Sequence, residues 1–179
     1  MFLKLTGWHV ATDWPAGVDK SVIIAAPHTS NYDGVVMLAM AGWYRQKLSW
    51  MGKASLAKGP FGGLVRRAGC IPIERSKSAD FVSLMAQAFD EAESLHLAIA
   101  PEGTRDANPD WKTGFWHIAQ SARVPFLCAV LDFGPKEMRL EGPIMPSGDI
   151  GADMAVIVSL YRDAKGRHPE RFRLPDPAP

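Results

Sequence analysis

The sequence predicts a single α/β domain with a mostly parallel or mixed central sheet flanked by helices. Short apolar runs typical of buried strands alternate along the chain with segments of helical periodicity, which indicates a largely parallel sheet. Two of these runs end in polar loops marked by glycine or proline, and α/β sheets bind ligands at such strand ends. The chain has 179 residues, enough for one full core but short for two domains.

The first half of the chain is divided at glycine and proline breaks. The apolar run before Ala26 is the first clear strand, and Pro72 inside a later strand indicates an edge or a bulge. We predict strands at residues 5–12, 21–26, 48–52 and 70–73, and helices at residues 33–46 and 61–67.

The second half contains the clearest helix, in which apolar residues from Phe81 to Ala92 fall on one face. A loop rich in proline, glycine, asparagine and aspartate follows at residues 101–111. We predict helices at residues 78–92, 114–123 and 153–161, and strands at residues 96–100, 125–131 and 137–140.

These elements divide the chain into three parts. Residues 1–20 form an N-terminal segment that is an edge strand or a membrane contact, and residues 21–165 form the domain. Residues 166–179 are a C-terminal tail with a proline-rich end that is expected to fray.

Composition excludes disorder as the default, because 47% hydrophobic and 22% charged residues are ordinary for a globular protein. The net charge of +1 indicates neither nucleic acid nor membrane by itself. The charges are unevenly placed, however: Glu74 is the sole acidic residue between positions 45 and 77, and the sign reverses between positions 80 and 110. The basic stretch favours an anionic substrate.

Cys70 and Cys128 lie in apolar runs and are expected to be reduced core residues of an intracellular protein. We see no secretory signal and no apolar stretch near the roughly 20 residues needed to span a bilayer. No metal site is expected, because the histidines at positions 9, 96, 117 and 168 share no spacing typical of ligands.

His28 and Asp33 lie where the first clear strand passes into a helix. A neutral imidazole is a base near physiological pH, and a carboxylate on its other nitrogen fixes the tautomer. The alternative is a polar turn in which Asp33 caps the helix. Taken alone, this spacing favours the turn.

The loop after the strand at residues 96–100 reads Pro-Glu-Gly-Thr-Arg. The Arg105 fork suits a phosphate or carboxylate, Gly103 allows close approach of the backbone, and Thr104 can donate to an anion. Two further cations follow predicted strands: Arg75 is a candidate second arm of an anion clamp, and Lys53 would add a point charge. Taken alone, the loop is as readily a turn with one arginine, and Arg75 and Lys53 are more readily exposed charges.

In their order, these motifs resemble the glycerolipid acyltransferase family, which includes the bacterial 1-acyl-glycerol-3-phosphate acyltransferases. Its His-x4-Asp block is matched by His28 and Asp33, and its Pro-Glu-Gly-Thr-Arg block by residues 101–105. Its Gly-x-Ile-x-x-x-Arg block is matched by Gly69, Ile71 and Arg75. An apolar run opened by Val-Pro follows at residues 124–125, so the resemblance covers roughly residues 20–135.

The resemblance implies a glycerol-3-phosphate acyltransferase-like fold and an O-acyltransferase of phospholipid biosynthesis. His28 would be the general base and Asp33 would orient it. The substrate-binding residues would be Arg75, Arg105, Lys53, Gly103 and Thr104, and Glu102 would be structural, holding the loop or pairing with Arg105.

The donor implied is acyl-coenzyme A or acyl carrier protein, with no other cofactor, and the acceptor is a lysophospholipid. A lipid product implies peripheral association with the cytoplasmic face of a membrane, and nucleic acid is not expected as a partner. The apolar N-terminal end and the basic residues between positions 162 and 173 are candidate membrane contacts. Two alternatives stay open: a thioesterase or esterase in which His28 activates water, and a lipid- or carrier-binding module without turnover.

Overall fold

The computed structural model describes residues 2–73 and 78–175. Strands and helices alternate along most of the chain, as the sequence predicts. The strands are β1 (His9–Val10), β2 (Lys20–Ala26), β3 (Leu48–Lys53), β4 (Cys70–Ile73), β5 (Leu95–Ile99), β6 (Phe126–Asp132) and β7 (Glu137–Ile144). The helices are α1 (Phe2–Thr6), α2 (Asn31–Tyr44), α3 (Ala54–Lys58), α4 (Gly62–Arg67), α5 (Ser78–Glu91), α6 (Gly114–Ala122) and α7 (Ile150–Ser159).

The strands form one mixed, mostly parallel sheet in the order β1-β7-β6-β2-β5-β3-β4. All neighbouring pairs are parallel except β6 and β7, which are antiparallel. Strand β2 lies between β5 and β6, with Ile24 opposite Ile99 on one side and Cys128 on the other. The loops that follow β2 and β5 therefore leave the same edge of the sheet side by side.

Alternate residues of β2 serve two hydrophobic cores, one on each face of the sheet. Val22 and Ile24 belong to the core that contains Phe89, Phe115 and Tyr161 from or next to helices α5, α6 and α7. Ile23 belongs to the other core, which packs against α1 and α2. Because both faces are covered, β2 is buried along almost its whole length, and the polar residues His28 and Asp33 come after its C-terminal end.

The N-terminal strand that we predicted at residues 5–12 is shorter and is preceded by a helix. Gly7, at φ 78°, ends α1, and only His9 and Val10 pair with β7. The reason is that Leu3 and Trp8 are both buried and joined by a backbone hydrogen bond, which requires the chain to turn between them.

Other boundaries also differ from the predictions. Helix α3 was not predicted, and β7 continues to Ile144. Helix α2 begins at Asn31 because Ser30, not Asp33, is its N-cap. The prediction that Pro72 lies on an edge strand is confirmed, since β4 ends the sheet. Both cysteines are buried and free. Within the described ranges, no helix is long and apolar enough to cross a bilayer.

Candidate active site

The loop after β2 brings His28 and Asp33 together. Ala26 is joined to Pro27 by a cis peptide bond, and the chain then enters α2, of which Asp33 is the third residue. The Nδ1 atom of His28 lies 3.3 Å from Oδ2 of Asp33. The imidazole is 32% exposed, whereas the Asp33 side chain is 3% exposed. A buried carboxylate thus stands behind a histidine that solvent or substrate can reach.

Three further hydrogen bonds hold the Asp33 carboxylate. Oδ2 accepts the backbone N–H groups of Thr29 and Ser30, both at 2.7 Å, and Oδ1 accepts the Ser30 hydroxyl at 2.6 Å. Burial tends to raise the pKa of Asp33, but the hydrogen bonds from His28 and Ser30 outweigh it and bring the pKa below its usual value. Asp33 is therefore ionised near neutral pH, which favours a proton on Nδ1 of His28 and leaves Nε2 as a base.

Asp33 is both a helix-capping residue and the partner of His28. It occupies the N3 position of a capping box with Ser30, so the structural interpretation of the His-x4-Asp spacing is realised. The same capping contacts fix the carboxylate against His28. The two interpretations that the sequence left open describe one arrangement.

Glu102, on the loop after β5, holds the loop after β2. Its Oε1 atom accepts the backbone N–H of His28 at 2.9 Å. The side chain is buried, and this burial raises the pKa of Glu102 although the His28 amide favours the ionised form. Its Oε2 atom is buried without a hydrogen-bond partner among the described residues.

The rest of this loop turns back toward α2. Gly103 adopts φ 66°, which favours glycine. Arg105 donates a hydrogen bond to Oδ1 of Asn31 on the first turn of α2, and Thr104 accepts the Asp106 N–H at 3.3 Å. Thr104 and Arg105 are exposed and face a cavity.

That cavity has a volume of about 320 Å³ and lies beside the His28 loop. Three parts of the chain form its wall: the start of α2, the loop after β5, and the C-terminal segment. The lining residues are Thr29, Ser30, Asn31, Thr104, Arg105, Asp106, His168 and Arg171. The sequence predicted two of the three parts, while the C-terminal contribution was missed.

His168 and Arg171 are the residues that sequence reasoning did not assign to the site. Neither forms part of a spaced motif, and the basic character of the segment suggested only a membrane contact. The sequence carries no signal that assigns them to the site, because no pattern in it indicates where this segment packs.

Two other predicted substrate-binding residues are not placed as side chains. Arg75 lies outside the described residues, and Lys53 is described by its backbone, which ends β3 next to β5. Gly69, from the same predicted block as Arg75, adopts φ 89°, and a Cβ atom there would lie 1.9 Å from the carbonyl oxygen of Leu48.

No group of three or more potential metal ligands occurs within residues 2–73 and 78–175.

A family model described as Acyltransferase matches residues 8–132, which is more than half of the chain. The matched region contains both loops described above and ends with strand β6. Searches of curated proteins and of solved structures gave no match.

Proposed function

Because the chain belongs to the glycerolipid acyltransferase family, we propose that it transfers a fatty acyl group from a thioester to a hydroxyl of a lysophospholipid. The donor is acyl-coenzyme A or acyl carrier protein, and the acceptor is of the 1-acyl-glycerol-3-phosphate type. The observation that carries the proposal is the pair of His28 and ionised Asp33 at 3.3 Å, next to a cavity that contains Arg105.

In the proposed reaction, Nε2 of His28 takes the proton of the acceptor hydroxyl as the oxygen attacks the thioester carbonyl carbon. The tetrahedral intermediate then expels the thiolate, which takes the proton back from the imidazolium. Asp33 holds the imidazole and stabilises its positive charge. General-base catalysis of this kind contributes about 10²–10⁴-fold.

Arg105 would hold the phosphate of the acceptor and so place its hydroxyl near His28. Its guanidinium now donates to the neutral amide of Asn31, a partner that a doubly charged phosphate can displace. Thr104 offers a hydroxyl in the same cavity. Lys53 is the last residue of β3, and Arg75 comes two positions after the end of β4 in the sequence, so both stay in the proposal as additional cations. Positioning of this kind can remove several kcal/mol from a barrier.

Because the product would be a membrane lipid, we also propose that the protein acts at the cytoplasmic face of a membrane as a peripheral enzyme. Leu5 and Leu64 are among the apolar side chains that it exposes, and Lys4 and Arg66 lie within two residues of them. Apolar and basic side chains together favour an anionic lipid surface. No cofactor is needed beyond the acyl donor.

The decisive experiment incubates the purified protein with lysophosphatidate and either acyl-coenzyme A or acyl carrier protein, and detects products by mass spectrometry. The wild type should form phosphatidate, and His28→Ala should lose about 10²-fold or more of this activity. His117→Ala is the matched control, because His117 is exposed on α6.

Each alternative function has its own outcome in this assay. Release of free fatty acid that does not depend on the acceptor would identify a thioesterase. Binding of lipid or donor without any product, across a panel of lysolipids, would identify a module without turnover. Full activity of His28→Ala would disprove the assignment of the base.

A further inference from the structure

The C-terminal segment, residues 165–173, lies outside the region matched by the family model. Hydrogen bonds at both of its ends hold it beside the site. At its start, the Lys165 N–H donates to Oδ1 of Asp132, and the Lys165 carbonyl accepts the N–H of Phe133 at 2.8 Å. At its end, the indole N–H of Trp111 donates to the carbonyl of Arg173 at 3.1 Å. The segment thus bridges the end of β6 and the loop after β5.

Between these ends the segment contacts the loop that carries His28. The backbone N–H of His168 donates to the Thr29 hydroxyl at 3.2 Å. Gly166 is buried against the same residue, and a Cβ atom at Gly166 would lie 2.7 Å from Thr29 Cγ2. The approach is close enough that only glycine fits without movement. The segment is therefore a built wall of the cavity, fixed at three points.

A short 3-10 helix at Pro169–Arg171 follows, and it places Arg171 in the cavity wall together with Arg105. Two carboxylates weaken the positive charge there. Arg171 lies 4.0 Å from Asp106 and 3.9 Å from Glu170, and His168 lies 3.7 Å from Glu170. These are long contacts between exposed groups, so they hold Arg171 only weakly.

We propose that Arg171 and Arg105 together bind a phosphate group of the substrate, so that the C-terminal segment is a substrate-binding element of this chain. The proposal deepens the function proposed above and rests on it. Each guanidinium offers a planar pair of donors, and a phosphate presents enough oxygens to accept from both. The phosphate belongs either to the lysolipid acceptor or to the acyl donor.

The segment would also explain how a small cavity holds the phosphate-bearing substrate in one orientation. Arg105 approaches from the sheet edge and Arg171 from the chain end, so a phosphate between them is fixed in position and not merely attracted. Because the same segment contacts Thr29, next to His28, the phosphate site and the base are connected through a few bonded residues.

The test compares the wild type with Arg171→Gln and Arg123→Gln. Arg171 is about half exposed, so the fold should survive its replacement, which thermal unfolding checks. Arg123 is exposed at the end of α6 and does not line the cavity, so its variant removes the same charge elsewhere. The first measurement needs no turnover: dissociation constants of glycerol 3-phosphate and of coenzyme A, from ³¹P NMR titrations.

We expect Arg171→Gln to weaken binding of at least one probe by about tenfold, with Arg123→Gln close to the wild type. Michaelis constants then identify the source of the phosphate. A rise for the lysolipid alone assigns it to the acceptor, and a rise for the acyl thioester alone assigns it to the donor.

Equal binding of both probes by the wild type and Arg171→Gln would overturn the proposal, as would the absence of binding by the wild type. Failure of the proposed function looks different. In that case the wild type transfers no acyl group, yet Arg171→Gln still binds a phosphate probe more weakly than the wild type does.

Discussion

Glu102 Oε1 accepts the backbone N–H of His28 at 2.9 Å, and through this contact the loop after β5 fixes the backbone of the proposed base. The hydrogen bond needs only an acceptor oxygen, which a neutral carboxyl also provides. The hydrogen bond therefore does not require the negative charge on Glu102, and burial makes that charge unfavourable.

The stability of Glu102→Gln should depend on pH differently from that of the wild type. The fold raises the pKa of Glu102 above the ordinary glutamate value of 4.5 because the group is buried. The resulting stabilisation is fully present below pH 4.5 and is lost as pH rises through the raised pKa. A neutral glutamine does not titrate, so the stability of Glu102→Gln relative to the wild type should increase with pH in that window. Urea unfolding at a series of pH values measures it.

Glu170→Gln is the control for this experiment, because it removes an exposed carboxylate. It changes the net charge by the same amount as Glu102→Gln, so the gain in stability with pH should be larger for Glu102→Gln. Equal changes with pH in the two variants would contradict the effect of burial on Glu102.

Asp33→Asn should reduce acyl transfer by about 10²-fold or more while the protein stays folded. Asparagine keeps the size of the side chain and one acceptor oxygen, so part of the capping box survives. It removes the negative charge that, in the proposed mechanism, stabilises the imidazolium of His28. The measurement is kcat under saturating donor and acceptor, with circular dichroism to verify the fold. Wild-type kcat in this variant would mean that Asp33 is only a cap.

Arg105→Ala should raise the Michaelis constant for the phosphate-bearing acceptor by about tenfold, with a smaller effect on kcat. The reason is that Arg105 would bind a part of the acceptor remote from the reacting hydroxyl. Asn31→Ala is an informative companion, because it removes the neutral partner of Arg105 and frees the guanidinium. An unchanged Michaelis constant in Arg105→Ala would contradict the role assigned to this residue.

Gly166→Ala should destabilise the protein by about 1–3 kcal/mol. The new Cβ atom would lie 2.7 Å from Cγ2 and 2.9 Å from Oγ1 of Thr29. Thr29→Ala removes both atoms at the cost of the hydrogen bond from His168. The double variant should therefore lose less stability than the sum of the two single variants, as measured by urea unfolding. Strict additivity would show that the segment does not press on the His28 loop.

Gly69→Ala should lower the free energy of unfolding by more than about 2 kcal/mol. Gly69 combines a positive φ of 89° with the close approach to the Leu48 carbonyl. Gly63 in α4 is the matched control, because a Cβ atom there meets nothing within 4 Å. Alanine at position 63 should be neutral or stabilising by up to about 1 kcal/mol. Similar unfolding midpoints for the two variants would refute the steric argument.

Much of the fold could be predicted from the sequence because local pattern is enough for it. The short continuous apolar run of β2 is typical of a buried strand, and the apolar face of α5 has the helical period. The N-terminal strand was predicted too long and α3 was not predicted, because local pattern does not determine them. Helix α1 depends on the contact between Leu3 and Trp8, and no local pattern shows that contact.

In the candidate site, too, some features follow from the sequence and others do not. From the sequence alone, His28, Asp33 and the loop from Pro101 to Arg105 were identified as candidates for the site. Both motifs directly follow buried strands, and the parallel pairing of these strands brings them to one edge of the sheet. The sequence left open whether Asp33 caps a helix or orients a base, since spacing cannot show that one carboxylate does both. It assigned Glu102 a structural role without showing that Glu102 binds the His28 amide.

Only the tertiary structure decided that the C-terminal segment closes the cavity. The contacts that bring it there, from Asp132, Thr29 and Trp111 to the segment, join residues that are far apart in the chain. Each is made by a single backbone group of the segment, and no side-chain pattern in the sequence indicates it. A sequence records periodicity along the chain, but a pocket is formed where distant parts of the chain meet.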